Sequence, residues 1–326
     1  MKKIQIFVTL GPSSLNKKFL KYAEKKVSLV RLNMSHIKVS KLKKKIQFIK
    51  KNCSIPICID TEGAQVRTKL NKIILKKIKI NQMLIFNKVN GRFNFYPPEV
   101  YDLLKKGDIL DVGFEGLQLK LVNKTKSKII FKCTSSGIIE NNKGVHIKNR
   151  KIKLNFITKK DYQAINIAKS FQIKNFALSF TNTPEDINKF CDLLPNENKF
   201  FKIETLQGLK SLNYFFKKQK NFLIDRGDLS KDIGIENIPK AQRDIFKKSK
   251  RFKNINIAVA TNFLESMIKK PFPTRAEVND IYNSLEMGAQ ALVLAGETAM
   301  GKYPIECVKF LINLIKVFKR DLKKND

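Results

Sequence analysis

Short apolar runs with β-like composition recur along the chain at residues 4–9, 29–32, 55–60, 175–179, 200–203, 222–224, 255–260 and 291–294. Between them lie stretches with helical character, among them 38–50, 184–194 and 277–286. The last stretch, 304–322, places Cys307, Val308, Leu311, Leu314, Ile315 and Phe318 at three- and four-residue spacing, the mark of one buried helix face. Pro304 suits its first turn, and the Lys-rich end from Lys319 to Asp326 is expected to fray. Strands that alternate with helices predict an α/β fold, here a (β/α)8 TIM barrel. One interval breaks the rhythm. From Arg67 to about Lys153 short strands are separated by turn signals such as Asn90-Gly91, Lys106-Gly107-Asp108 and Asn141-Asn142-Lys143-Gly144. That pattern predicts a small all-β domain inserted after strand three. The expected division is a barrel of residues 1–68 and 154–326 and a β-rich lid of 69–153.

In such a barrel the chemistry gathers at the C-terminal ends of the strands. Each predicted strand here ends in polar or Gly-containing sequence. Lys202-Ile203-Glu204 closes the fifth. Side chains alternate along a strand, so Lys202 and Glu204 project together. An isolated K-x-E is usually a strand-end ion pair, but its neighbours are unusual. The second strand ends in Arg31-Leu32-Asn33-Met34-Ser35-His36, and the third in Asp60-Thr61-Glu62-Gly63 with Arg67 following. The sixth ends in Asp225-Arg226-Gly227-Asp228, the seventh in Thr261-Asn262, and the eighth in Gly296-Glu297-Thr298. Capping explains some of these residues: Thr181 and Thr183 before Pro184, and Thr274 with Glu277 three positions on. It does not explain arginines, a lysine and several carboxylates on one rim. Glu204 and Asp228, from adjacent strands, supply hard oxygen ligands suited to Mg²⁺. Gly227 lets a ligand approach the backbone closely.

Composition narrows the choices. A formal charge of +37 invites a nucleic-acid partner, but 56 of the 65 basic residues are Lys and they are spread over the whole chain. That distribution favours a solvated surface, and no nucleic-acid or membrane partner is expected. Where Lys is the default cation, an Arg marks a place for a planar fork, and Arg31, Arg67, Arg226 and Arg275 all fall within the polar clusters. Five irregularly spaced cysteines argue against a disulfide framework and for a reducing cytoplasm. Two histidines exclude a His-rich zinc site. The opening Met1-Lys2-Lys3 and apolar run lack a cleavage site, so a first core strand is expected rather than a signal peptide. No apolar run approaches the ~18 residues of a membrane span.

At these clusters the sequence resembles the pyruvate kinase family. The residues that carry the resemblance, in order along the chain, are Arg31-Leu32-Asn33-Met34-Ser35-His36; Asp60 to Thr68; Lys202-Ile203-Glu204; Arg226-Gly227-Asp228-Leu229; Ala260 to Ile268 continuing through Pro273-Thr274-Arg275-Ala276-Glu277; and Gly296-Glu297-Thr298-Ala299 with Gly301. The resemblance implies phosphoryl transfer from phosphoenolpyruvate to ADP, giving pyruvate and ATP in glycolysis. Lys202 would neutralise the phosphoryl group in flight, and Glu204 and Asp228 would hold Mg²⁺. Arg31 would clamp phosphate. Arg67, Lys143, Asn33 and His36 would serve the nucleotide side of the site. Gly227 and Thr261 would contact the pyruvate carboxylate. Asn33, Ser35, Asp60 and Thr61 match a K⁺ site.

The sequence also departs from the family. No regulatory C-terminal domain follows the eighth helix, so allosteric control is not expected, and the subunit count is open between a monomer and a homo-oligomer. Gln65 replaces an acidic residue linked to K⁺ dependence. Glu62 and Ala64 differ from the pattern, Ser230-Lys231 replaces Gly-Ile, and His146-Ile147-Lys148 replaces Asn-Leu-Pro. Ala295 stands where a serine linked to proton relay is usual. Two further readings stay open on these grounds: another enzyme of phosphoenolpyruvate or keto acids on the same scaffold, and a non-catalytic binding protein.

Overall fold

A computed structural model describes residues 3–71, 75–89, 91–113, 116–148 and 150–325. Asn90 of the Asn90-Gly91 turn signal, Met1-Lys2 of the signal-like start and Asp326 at the predicted frayed end lie outside them. The chain divides into two compact units, Met1–Glu62 with Lys159–Asp326, and Gly63–Thr158.

The first unit is a closed barrel of eight parallel strands in chain order around the ring: Gln5–Thr9, Leu29–Asn33, Ile57–Asp60, Asn175–Leu178, Asn198–Ile203, Asn221–Asp225, Asn256–Ala260 and Ala291–Leu294. These are the first to eighth strands below. Alternation fixes what fills the barrel. Phe7, Leu29, Cys58, Ala177, Leu223, Ala258 and Ala291 form one buried cluster drawn from seven strands, with Phe200 of the fifth packed against it. Phe200 meets Phe7 edge-on at 5.7 Å. Residues two positions further along each strand share this inward face. They are Thr9, Arg31, Asp60, Ser179, Lys202, Asp225, Ala260 and Val293. The same period that builds the apolar layer therefore delivers six charged or hydroxyl side chains to the ring above it.

Helices cover the outside. Val39–Asn52 buries Leu42, Ile46 and Ile49, the three- and four-residue spacing of one face. Thr183 and Thr274 both close capping boxes, with Asp186 and Glu277 as partners. Thr181 departs from expectation. It is buried, its hydroxyl donates to the Leu178 carbonyl and its N–H to the Lys202 carbonyl, so it closes the end of the sheet and caps no helix. The final helix stays helical through Asn325 where fraying is expected.

The second unit is β-rich, and among its described residues Val100–Leu103 forms a helical turn. Seven of its strands form a closed sheet, and Leu75–Ile78 pairs with Gly137–Glu140 in a separate ribbon. Phe86, Phe93, Phe95 and Phe131 anchor its own core. Arg150 braces the unit with a two-pronged pair to the buried Asp108, both bonds 2.7 Å, and donates to the Leu103 carbonyl at 2.6 Å.

Candidate functional site

The ring above the apolar layer is a buried charge cluster. Lys202 Nζ lies 2.8 Å from Glu204 Oε1, 3.2 Å from Asp225 Oδ2 and 3.6 Å from Asp60 Oδ1, and donates to Ser179 Oγ at 3.1 Å. Each of these residues is at most 6% exposed. Burial works against the ammonium, but Asp60, Glu204 and Asp225 together hold its pKa above the usual lysine range. Asp60 is likewise opposed by burial, and Arg31 with Lys202 reverses that and keeps it ionised. Burial pushes the Glu204 carboxyl up, and the like charges of Asp225 and Asp228 add to this against the pull of Lys202. Its second oxygen accepts the Phe180 N–H at 2.5 Å.

Arg31 pairs with Asp60 through Nη2. Its Nε and Nη1 are buried and have no hydrogen-bond partner among the described residues. Two unsatisfied donors on a fixed cation require an explanation, and an anionic ligand supplies one. Nearby, Glu204, Asp225 and Asp228 each bring a carboxylate oxygen within 4.8 Å of the others. Asp225 ends the sixth strand, and Asp228 sits in the first turn of the helix Arg226–Ile233, where Lys231 pairs with it at 2.8 Å. Three oxygens so disposed match the donor type of a hard divalent cation, so the residues present fit Mg²⁺.

The turn after the seventh strand is strained. Thr261 has φ +72° and Asn262 φ +58°. For a β-branched residue such as Thr261 this conformation costs roughly 1–2 kcal/mol. Thr261 Oγ1 accepts the Gly227 N–H at 2.8 Å, and a Cβ added at Gly227 would meet that oxygen at an ordinary contact distance of 3.5 Å. Arg226 is not a free ligand for substrate: it is bound to Asp280 and to the Thr261 carbonyl. Arg275 is exposed at the start of the helix Arg275–Glu286.

The remaining predicted residues fall into two groups. Asn33 ends the second strand, where its Oδ1 accepts the Ser35 N–H at 2.9 Å and the exposed His36 donates its backbone N–H to the Asn33 carbonyl. Thr61 is buried, and its hydroxyl accepts the Ser179 N–H at 3.0 Å. Arg67 and Lys143 both belong to the second unit, brought side by side because Gly144 pairs with Arg67 across two antiparallel strands. There Lys143 pairs with Glu140 at 3.0 Å and Arg67 donates to the Asn142 carbonyl. Asp225 and Ser179 are the members of the cluster that reasoning from strand ends did not single out. The period-two rule that joins Lys202 to Glu204 also joins Leu223 to Asp225 and Ala177 to Ser179.

Residues 1–308 match the family model for the pyruvate kinase barrel domain. Among curated relatives, the chain is 34% identical to a pyruvate kinase of Methanocaldococcus jannaschii over 97% of its own length and 70% of the relative's. It is 31% identical to a pyruvate kinase of Thermotoga maritima over 99% of its length and 72% of the relative's. A Staphylococcus epidermidis pyruvate kinase is 31% identical over 96% of the chain and 56% of the relative.

Proposed function

The chain belongs to the pyruvate kinase family of phosphotransferases, and on that premise we propose that it moves a phosphoryl group from phosphoenolpyruvate to ADP, yielding pyruvate and ATP in glycolysis. The observation that carries the reading is the pair of unsatisfied donors on buried Arg31 beside the Lys202 cluster. A phosphorylated carboxylic acid supplies the acceptors that Arg31 lacks. Lys202, held charged by its carboxylates, faces the negative charge that develops on the transferring group, and its ammonium is worth more there than in water because the ring is buried.

Glu204, Asp225 and Asp228 are the residues that would hold Mg²⁺. When bound, that ion neutralises charge on phosphoryl and carboxylate oxygens. The other steps belong to the chain. Arg31 orients the phosphate. The Thr261 turn and the Gly227 backbone form the wall against which the three-carbon acid rests. Arg67 and Lys143, adjacent within the second unit, are assigned to the nucleotide phosphates, with Asn33 and His36 on the nucleotide side of the barrel rim.

The set Asn33, Ser35, Asp60 and Thr61 fits K⁺ poorly. Asp60 already answers Arg31 and stands 3.6 Å from Lys202, and Asn33 Oδ1 is engaged by Ser35. Equal rates with and without K⁺ are therefore expected. The five unbridged thiols fit a reducing cytoplasm. Among the described residues no helix is long and apolar enough to cross a membrane. The reading is tested by mixing the protein with phosphoenolpyruvate, ADP and Mg²⁺ and following pyruvate. No pyruvate under any ionic condition would overturn it.

A further inference from the structure

Arg226 lies 8% exposed between two strand ends, and each of its nitrogens is committed. Nη1 reaches both oxygens of Asp280 at 2.7 Å, Nη2 donates to the Thr261 carbonyl at 2.5 Å, and Nε points to the Ala260 carbonyl at 3.4 Å. The guanidinium also covers the Phe263 ring, 4.4 Å from its centroid. The next residue, Gly227, holds Thr261 from the other side, N–H to Oγ1 at 2.8 Å. Thus two consecutive residues at the start of one helix grip one strained threonine by its backbone and its hydroxyl. A β-branched residue with φ +72° persists only where its surroundings over-determine it. The contacts are spread over three nitrogens held in one plane, a geometry that the single nitrogen of a lysine does not reproduce.

We propose that Arg226, fixed by Asp280 of the helix Arg275–Glu286, is a positioning residue that holds Thr261 in its left-handed conformation and so sets the wall that meets the substrate. This rests on the reading of Thr261 as a substrate-contacting residue. Asp280 is the outer half of the device: 37% of its side chain is exposed, yet it takes both of its bonds from one Arg226 nitrogen.

The test has two arms. In the first, Arg226→Lys is assayed for pyruvate formation alone and in a Thr261→Ala background. The expected result is a fall in kcat of at least about tenfold with the Km for ADP unchanged, shrinking to less than about threefold when Thr261 is absent, because contacting residues fail to add. Asp280→Asn should show the same pattern in milder form, with Asp280→Glu restoring most of the rate. Equal fold losses in both backgrounds would overturn the proposal. In the second arm the crystal structure of the Arg226→Lys protein is solved. Thr261 is expected to leave positive φ and to lose its 2.8 Å bond from Gly227. A threonine unmoved at φ near +72° would overturn the proposal whatever the activity. Absence of pyruvate from the wild-type protein would instead defeat the functional reading, and the second arm still decides the role of Arg226.

Discussion

Asp225→Asn is the most informative perturbation of the charge ring. It keeps the size and polarity of the side chain and removes one of three carboxylate charges whose oxygens lie within 4.8 Å of one another. A unit charge pair about 4 Å apart at an effective dielectric of ~20 is worth about 4 kcal/mol. Two effects reduce that figure. Lys202, 3.2 Å away, already cancels part of the Asp225 charge. The carboxylate must also shed its solvation to meet an ion, and the neutral amide pays less of that cost. About 1.5–3 kcal/mol should survive, or roughly ten- to a hundredfold in Kd. The assay is calorimetric titration of Mg²⁺, with Mn²⁺ as a second probe, into the protein without substrate, so that the result does not depend on turnover. A Kd within about twofold of the parent protein would refute the reasoning and leave Asp225 only as a counter-ion for Lys202.

Lys202→Ala should slow pyruvate formation by at least about 10²-fold, since it removes a contact strengthened in the transition state. It should also lower the melting temperature, because Asp60, Glu204 and Asp225 would share the ring with Arg31 alone; unchanged melting would contradict the burial argument. Glu204 has its pKa raised by burial and by Asp225 and Asp228, so a proton must leave before a cation binds, and Mg²⁺ affinity should climb with pH between about 6 and 9. A flat titration over that range would count against the assignment. In the second unit, Arg150→Ala strands the buried Asp108 and should cost about 2 kcal/mol. Hydrogen exchange should then quicken in that unit's amides while barrel amides keep their protection.

The barrel was legible because its strands are short apolar runs separated by helical spacing, and all eight lie where those runs fall. The site was legible wherever a polar residue ends a run conspicuously, as Lys202, Glu204 and Arg31 do. Other features depend on pairings that no local pattern reveals. Arg226 reads as one more arginine in a motif until Asp280, on the helix Arg275–Glu286 more than fifty residues away, is placed against it. Asp225 reads as a strand-end turn residue until the neighbouring strand sets Lys202 3.2 Å away. Thr261 has an ordinary sequence and an uncommon backbone, and only three-dimensional restraint from Arg226 and Gly227 makes that tolerable. Thr181 was misread for the opposite reason. Its neighbour Thr183 satisfies the helix, so Thr181 is left to the sheet.

The claim that the Arg31–Lys202 ring serves phosphoryl transfer to a nucleotide is tested most directly by ³¹P NMR of phosphoenolpyruvate, ADP and Mg²⁺ incubated with the protein. The account predicts that the phosphoenolpyruvate signal falls while the γ-phosphate of ATP rises in equal amount, and that Lys202→Ala abolishes both changes. Phosphorus released as orthophosphate, or transfer that persists without Lys202, would contradict it.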